Sequence, residues 1–354
     1  MMRVLVRTPN WLGDIVMALP VLDALRAHFP DEVLVAAAPR AFAPMLTAVP
    51  AVDQVVPLRR DGRGWRALEA EAEAGQLRDG RFDRVVLLPN SFGAAWVARR
   101  AGIEERWGFA AHWRRSLLTR AVPRPRRRTP SLHQVDYYLE LVRGLDIEVA
   151  TREPRLTPPP RMLERAQRLL DAAGCDRGRP VVGVAPGAAY GHAKRWPPDR
   201  YGRVVARLVR ECGVAVVLLG SAHDRDAGYA IESSLTAVGA AGLDAGVVNL
   251  VGRTDLAELI GILAVCRGVI SGDSGAMHLA AALQVPVTAL FGPTDDRLTG
   301  PVGAHEVLVH PVWCRPCFFR DCPIDHRCMT GISEDDVFQA VARQLAAPIG
   351  GDQA

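Results

Sequence analysis

Four short segments hold the side chains able to do chemistry. In Thr8-Pro9-Asn10-Trp11-Leu12-Gly13-Asp14, a carboxylate follows an apolar run and opens a helical stretch. At that place Asp14 is either a helix cap, whose pKa the helix dipole lowers, or a general base, which needs a pKa near working pH. Gly13 permits an unusual backbone angle or a close approach. Pro186-Gly187-Ala188-Ala189-Tyr190-Gly191-His192-Ala193-Lys194-Arg195-Trp196-Pro197 also lies between a strand pattern and a helix pattern. Its small residues let backbone N–H groups approach an anion. Lys194 then neutralises a phosphate as a point charge, or Arg195 grips it bidentately. A surface loop with two solvated cations is the plainer alternative.

In Ser271–Ala282 a strand end, a small-residue turn and a helix start coincide at Asp273, Ser274, Gly275 and Ala276. Free N–H groups and the positive helix end make this a pyrophosphate site. His278, on the first turn, is a phosphate donor or a core histidine. The segment matches neither GxGxxG nor GxxxxGK[ST], so nicotinamide and P-loop chemistry are unsupported. In Gly220-Ser221-Ala222-His223-Asp224, Asp224 is placed to accept from ribose hydroxyls, or it is a turn aspartate.

The elements that must position these groups alternate along the chain. Strands are expected at 3–7, 32–38, 84–88, 181–185, 214–219, 247–250, 269–271 and 285–291, several of them continuous apolar runs like buried parallel strands. Helical spacing joins Ile15, Leu19, Leu22, Leu25 and Phe29, with Pro20 a source of a kink, and recurs at 67–74, 162–173, 201–212 and 256–266. The fold expected is α/β, with two doubly wound Rossmann-like domains facing a central cleft. Arg152–Pro160, with three successive prolines, separates an N-terminal domain (1–160, the linker included) from a C-terminal domain (161–354).

The 354 residues carry a formal net charge of +4, which by itself requires neither nucleic acid nor membrane. No nucleic-acid partner is expected. Between Arg106 and Arg128 stand eight arginines and no acidic residue, densest at Arg124, Arg126, Arg127 and Arg128. This reads as a solvated basic loop or as a patch for phosphate, carboxylate or an anionic membrane face. The N-terminal apolar run is too short for a signal peptide and no stretch is long enough to span a bilayer, so a cytoplasmic location is expected. Cys175, Cys212 and Cys266 read as core or inert thiols. Cys314, Cys317, Cys322 and Cys328 crowd into fifteen residues. In a reducing compartment they suit a structural zinc or iron site or free thiols better than disulfides.

Together these motifs resemble the ADP-heptose:lipopolysaccharide heptosyltransferases, glycosyltransferase family nine, and most closely the heptosyltransferase II branch. The likeness runs over nearly the whole chain. It rests on Gly13-Asp14, Leu88-Pro89-Asn90-Ser91-Phe92, Pro186–Pro197, Gly220–Asp224, Gly272–Ala282 and Phe291-Gly292-Pro293-Thr294. The resemblance implies a GT-B enzyme of Gram-negative lipopolysaccharide core synthesis. It moves L-glycero-D-manno-heptose from ADP-heptose to the heptosyl-Kdo inner core, with inversion in one displacement and no cofactor required for catalysis.

By that likeness Asp14 is the base. Lys194 and the amides of Ser274, Gly275 and Ala276 stabilise the departing ADP. Gly13, Gly187, Asp224, Asp273 and His278 belong to the donor site, and Asn90 and Ser91 to the acceptor. Arg126, Arg127 and Arg128 would then hold an anionic, lipid-anchored acceptor at the inner membrane's cytosolic face, as a peripheral contact. Two alternatives stay open: action on Kdo2-lipid A as heptosyltransferase I, or non-catalytic nucleotide-sugar binding.

Overall fold

The structure, a computed structural model, describes residues 1–58, 67–125, 132–176, 178–237 and 246–347. The chain divides into two compact units, Met1–Thr157 and Pro158–Ala354.

The first unit is built on six parallel strands: β1 (Arg3–Arg7), β2 (Val33–Pro39), β3 (Gln54–Leu58), β4 (Arg84–Leu87), β5 (Glu105–Ala110) and β6 (Arg120–Pro123). Their order is β3-β2-β1-β4-β5-β6. β1 lies at the centre, and Val4, Leu5 and Val6 are fully buried, as a strand covered on both faces requires. The helical pattern after β1 is interrupted. One helix runs Leu12–Met17 and a second Leu19–His28, with Pro20 in the first turn of the second. There its missing N–H costs nothing, so the proline starts a helix instead of kinking one.

β5 and β6 correct the reading of the arginine-rich stretch as a loop. Trp107, Phe109 and Val122 are buried in the sheet, and a 3-10 turn, Arg115–Leu117, joins the two strands. Periodicity was masked because arginines occupy strand ends whose long stems pack inward. Arg114 is fully buried, and Arg106 spends its guanidinium on the carbonyls of Ile103, Glu104 and Leu117.

The second unit repeats the plan with β7 (Val181–Ala185), β8 (Ala215–Leu218), β9 (Val247–Asn249), β10 (Gly268–Gly272), β11 (Val287–Phe291) and β12 (Glu306–Val309), ordered β12-β11-β10-β7-β8-β9. Every residue of β7, β10 and β11 is buried. The helix Pro198–Cys212 lays Val204, Val205, Leu208 and Val209 on this sheet, beside Phe338 and Val341 of the helix Glu334–Ala346.

In each sheet the strand order reverses once, between β1 and β4 and between β7 and β10. Register aligns the strand ends there, Arg7 with Leu87 and Ala185 with Ser271. Loops leaving two neighbouring strands in opposite directions open a crevice at their carboxyl ends, the usual ligand position of an open α/β sheet.

Candidate active site

The four motifs read from the sequence leave these two reversal points, or the strand beside them. In the first unit the loop after β1 leads to Asp14. It is the third residue of the helix Leu12–Met17, whose cap position is Trp11 with no side-chain cap bond. Asp14 is therefore not the helix cap, and Gly13 is an ordinary helical residue. The carboxylate of Asp14 is half-buried and lies near the Tyr138 hydroxyl. Burial first, then the negative charge of Asp14, pushes the Tyr138 hydroxyl well above the ordinary phenol range.

The loop after β4 carries Asn90 and Ser91. Ser91 caps the helix Phe92–Arg100 by accepting from the Ala94 amide at 3.3 Å. Asn90 Nδ2 donates to the Tyr137 hydroxyl at 2.6 Å, and Arg124 Nε donates to the same oxygen at 3.1 Å. Tyr137 and Tyr138 are neighbours on the helix Gln134–Arg143, so one helix holds both loops of the reversal point. Beneath them Arg114 donates to the carbonyls of Phe109, Pro89 and Ser91 and, at 3.5 Å, to Asn90 Oδ1. Burial pushes its guanidinium down to about 10. Sequence reasoning missed Tyr137, Tyr138 and Arg114. Nothing local marks them, because these side-chain partners lie between 13 and 124 positions away and the rest are backbone carbonyls. Arg126, Arg127 and Arg128 lie outside the described residues.

In the second unit the loops after β7 and β10 meet. Lys194, in the 3-10 turn His192–Lys194, places Nζ 2.5 Å from Oδ2 of Asp273 and 4.8 Å from the centre of the Tyr190 ring. Ser274 caps the helix Gly275–Ala282 and exchanges a hydrogen bond with Ser271 at 2.9 Å. Gly275 and Ala276 are its first two residues, whose N–H groups have no intrahelical acceptor. His278 is buried one turn along. A lysine, open amides and a helix N-terminus thus gather around one point, an arrangement suited to a diphosphate.

Asp224, just after β8, is buried by its own turn. Oδ2 accepts from the Ser221 amide at 3.0 Å and hydroxyl at 2.6 Å, and Oδ1 faces Arg195 Nη2 at 3.4 Å. A Cβ at Gly187 would collide with this carboxylate, so glycine lets the two loops approach. Arg195 lines a cavity of about 270 Å³ with Pro186, His192, Trp196 and Asp226. Its Nε is buried with no hydrogen-bond partner among the described residues, as is Oγ1 of Thr294 after β11. Buried orphan donors of this kind point to a missing ligand or water. A larger cavity of about 420 Å³, lined by His28, Arg84, Trp107 and Arg120, opens at the amino ends of β4 to β6, away from the reversal point of the first unit.

The cysteine segment, expected to be a structural metal site or free thiols, gives no support to the metal centre. Cys328 is drawn into the apolar core with Met329, whereas Cys314, Cys317 and Cys322 sit half-exposed on irregular chain. Burial first, then the neighbouring thiols, raises the Cys328 pKa. Among the described residues no group of three or more His, Cys, Asp or Glu side chains is arranged to hold an ion. Nor, among them, is any helix long and apolar enough to cross a membrane.

Known proteins share this plan. The model of glycosyltransferase family 9 (heptosyltransferase) matches residues 72–327. Lipopolysaccharide heptosyltransferase 2 of Escherichia coli K12 is 33% identical over 313 residues, 87% of each chain. The enzyme of the same name from Salmonella typhimurium is 32% identical over 312 residues, again 87% of each. The solved structure of E. coli ADP-heptose lipopolysaccharide heptosyltransferase II superposes with a TM-score of 0.82 at 29% identity, covering 97% of this chain and 98% of that one. The two six-stranded units are those of the GT-B class, and the chain belongs to glycosyltransferase family 9, the heptosyltransferases.

Proposed function

We propose that the protein transfers L-glycero-D-manno-heptose from ADP-heptose to the heptosyl-Kdo inner core of lipopolysaccharide, as a heptosyltransferase II. The names and coverage of its relatives support this reaction and acceptor. The observation that carries the reading is the Lys194–Asp273 pair at the β7/β10 reversal, beside the open amides of Gly275 and Ala276.

In this reading the second unit holds the donor. Lys194 and the amides at Ser274, Gly275 and Ala276 take the diphosphate, with Gly187, Asp224 and His278 bordering it and Asp224 aiming Arg195. The first unit supplies Asp14, with Gly13 beside it, and Asn90 and Ser91 on the acceptor side. Asp14 takes the proton of the acceptor hydroxyl as its oxygen bonds to the anomeric carbon. The bond from that carbon to the β-phosphate oxygen breaks, and ADP leaves with the electron pair. Positive charge on the sugar and negative charge on ADP both grow in the transition state, so fixed donors at the diphosphate act where charge develops. No cofactor enters the step. Arg126, Arg127 and Arg128 hold the anionic acceptor at the cytosolic face of the inner membrane, a peripheral contact of a cytoplasmic enzyme.

The test is transfer from ADP-heptose to two purified acceptors, one ending in Kdo and one in heptosyl-Kdo. Transfer confined to the second is expected. Transfer to bare Kdo would move the protein to the heptosyltransferase I reaction, and transfer to neither, with ADP-heptose still bound, would leave a nucleotide-sugar-binding protein.

A further inference from the structure

The turn bearing Lys194 is held by more than the bonds of its own loop. Its backbone is bonded on both sides to the distant cysteine-containing segment. The Ala193 amide donates to the Arg320 carbonyl at 2.8 Å, and the Ala193 carbonyl accepts from His326 Nε2 at 2.5 Å. Three positions before Ala193, the Tyr190 hydroxyl donates to the Phe318 carbonyl at 3.0 Å. Gly191 lies so close to the Arg320 backbone that a Cβ would collide with it. The Tyr190 ring is shared by two cations, Lys194 Nζ at 4.8 Å and the Arg320 guanidinium at 5.2 Å.

The segment is itself anchored. The Cys317 and Phe318 amides both donate to the Pro293 carbonyl, at 3.0 and 2.9 Å, tying it to the loop after β11. Phe318 and His326 both adopt left-handed backbone, at φ 56° and 61°, so the chain turns sharply at each end of the clamp. Beyond the turn, Trp196 is 1% exposed and donates to the Ile332 carbonyl at 3.2 Å. Lys194 is thereby fixed between two anchors, with a long flexible side chain whose only remaining freedom is rotation about its stem. A lysine so held loses less entropy when it meets an anion.

We infer that the segment Phe318–His326 is a backing wall of the donor site, and that His326 and Tyr190 are positioning residues which aim Lys194 at the diphosphate. The inference rests on the donor reading of Lys194. It gives the cysteine-containing segment a role without a metal: it carries the backbone that holds the turn.

The test is a cycle of ADP affinities measured calorimetrically for the full-length enzyme, with His326→Ala, Lys194→Ala and both together. His326→Ala is expected to weaken ADP roughly tenfold, the scale of one lost charge-directing hydrogen bond. In the Lys194→Ala background it should have no further effect. Acceptor KM should be unchanged, and His326→Asn, which tolerates left-handed backbone and keeps an N–H donor, should recover part of the loss. Equal weakening in both backgrounds, or none in the wild type, overturns the inference. If Lys194→Ala alone binds ADP like the wild type, the donor-site reading itself is lost, a result distinct from either. Tyr190→Phe removes one hydroxyl and keeps the ring under Lys194, so it guards against a folding defect. It should raise donor KM several-fold without moving the melting temperature, and an unchanged donor KM counts against the clamp.

Discussion

Lys194 Nζ sits 2.5 Å from Asp273 Oδ2, and both side chains are about nine-tenths buried. The pair is close to neutral, so before ADP arrives it offers a diphosphate little long-range attraction of its own. What it offers is a cation held in place. Asp273→Asn keeps a hydrogen-bond acceptor for the ammonium and removes the opposing charge. ADP should then bind more tightly and its affinity should fall more steeply with salt, because an unbalanced cation is screened. Titrations at low and high ionic strength measure both effects. Weaker binding in Asp273→Asn would mean that the carboxylate's aim on Lys194 matters more than its charge.

The nearness of Tyr138 to Asp14 makes the corresponding prediction for the first unit. A general base contributes roughly 10²–10⁴ in rate. Asp14→Asn should therefore lower kcat by that order while leaving ADP affinity intact. Tyr138→Phe leaves the carboxylate in place but removes the hydroxyl beside it. A fall in kcat of about tenfold is expected, with donor KM unchanged. Steady-state kinetics on the heptosyl-Kdo acceptor decide it. Full activity in Asp14→Asn would return this residue to a structural role in its helix.

Both loops of the β7/β10 reversal point were legible in the sequence because their signals are local. An apolar run, a small-residue turn and a helix start adjoin one another at Val181–Lys194 and at Val269–Ala282, and the structure has β7 and β10 there. The partners of those motifs were not legible. Asp273 meets Lys194 across 79 positions, and His326 meets Ala193 across 133. Such pairings depend on strand order, which hydrophobic spacing does not encode. β5 and β6 were hidden for another reason. Arg106, Arg114 and Arg120 break the apolar pattern of a strand pair, yet Arg114 is buried on carbonyl acceptors and Arg120 stacks 4.9 Å over the Trp107 ring. Charge density read as solvent exposure, where the fold uses the guanidinium as internal scaffolding.

That scaffolding makes Arg114 a stability determinant of the Asn90 loop. Its donors serve the carbonyls of Phe109, Pro89 and Ser91, and truncation would leave them buried without partners. Arg114→Ala should cost about 3 kcal/mol, the sum expected for stranded buried acceptors and a lost buried side chain. Thermal denaturation should show a fall of several degrees. Arg115→Ala, one position away and exposed, should leave the melting temperature unchanged. Equal effects from the two would argue against the buried network.

Alkaline stability follows from three buried groups. Burial pushes the Cys266 thiol up to about 12 and raises the Tyr138 and Tyr201 hydroxyls above their ordinary range. Each folded pKa lies above its unfolded value, so each contribution is fully present below the unfolded pKa and is lost as pH rises towards the folded one. For Cys266 the loss starts near pH 9. For the two tyrosines it starts near pH 10. Each group in its window lowers unfolding free energy by about 1.4 kcal/mol per pH unit, because the unfolded chain releases a proton that the fold retains. Urea unfolding at half-unit steps from pH 8 to 11 should show a steepening decline. Cys266→Ala should flatten the part between 9 and 10, and Tyr201→Phe, which keeps the ring packed edge-on at 4.9 Å against Trp196, should flatten the part above 10. A slope identical in wild type and both variants would place the titrating groups elsewhere.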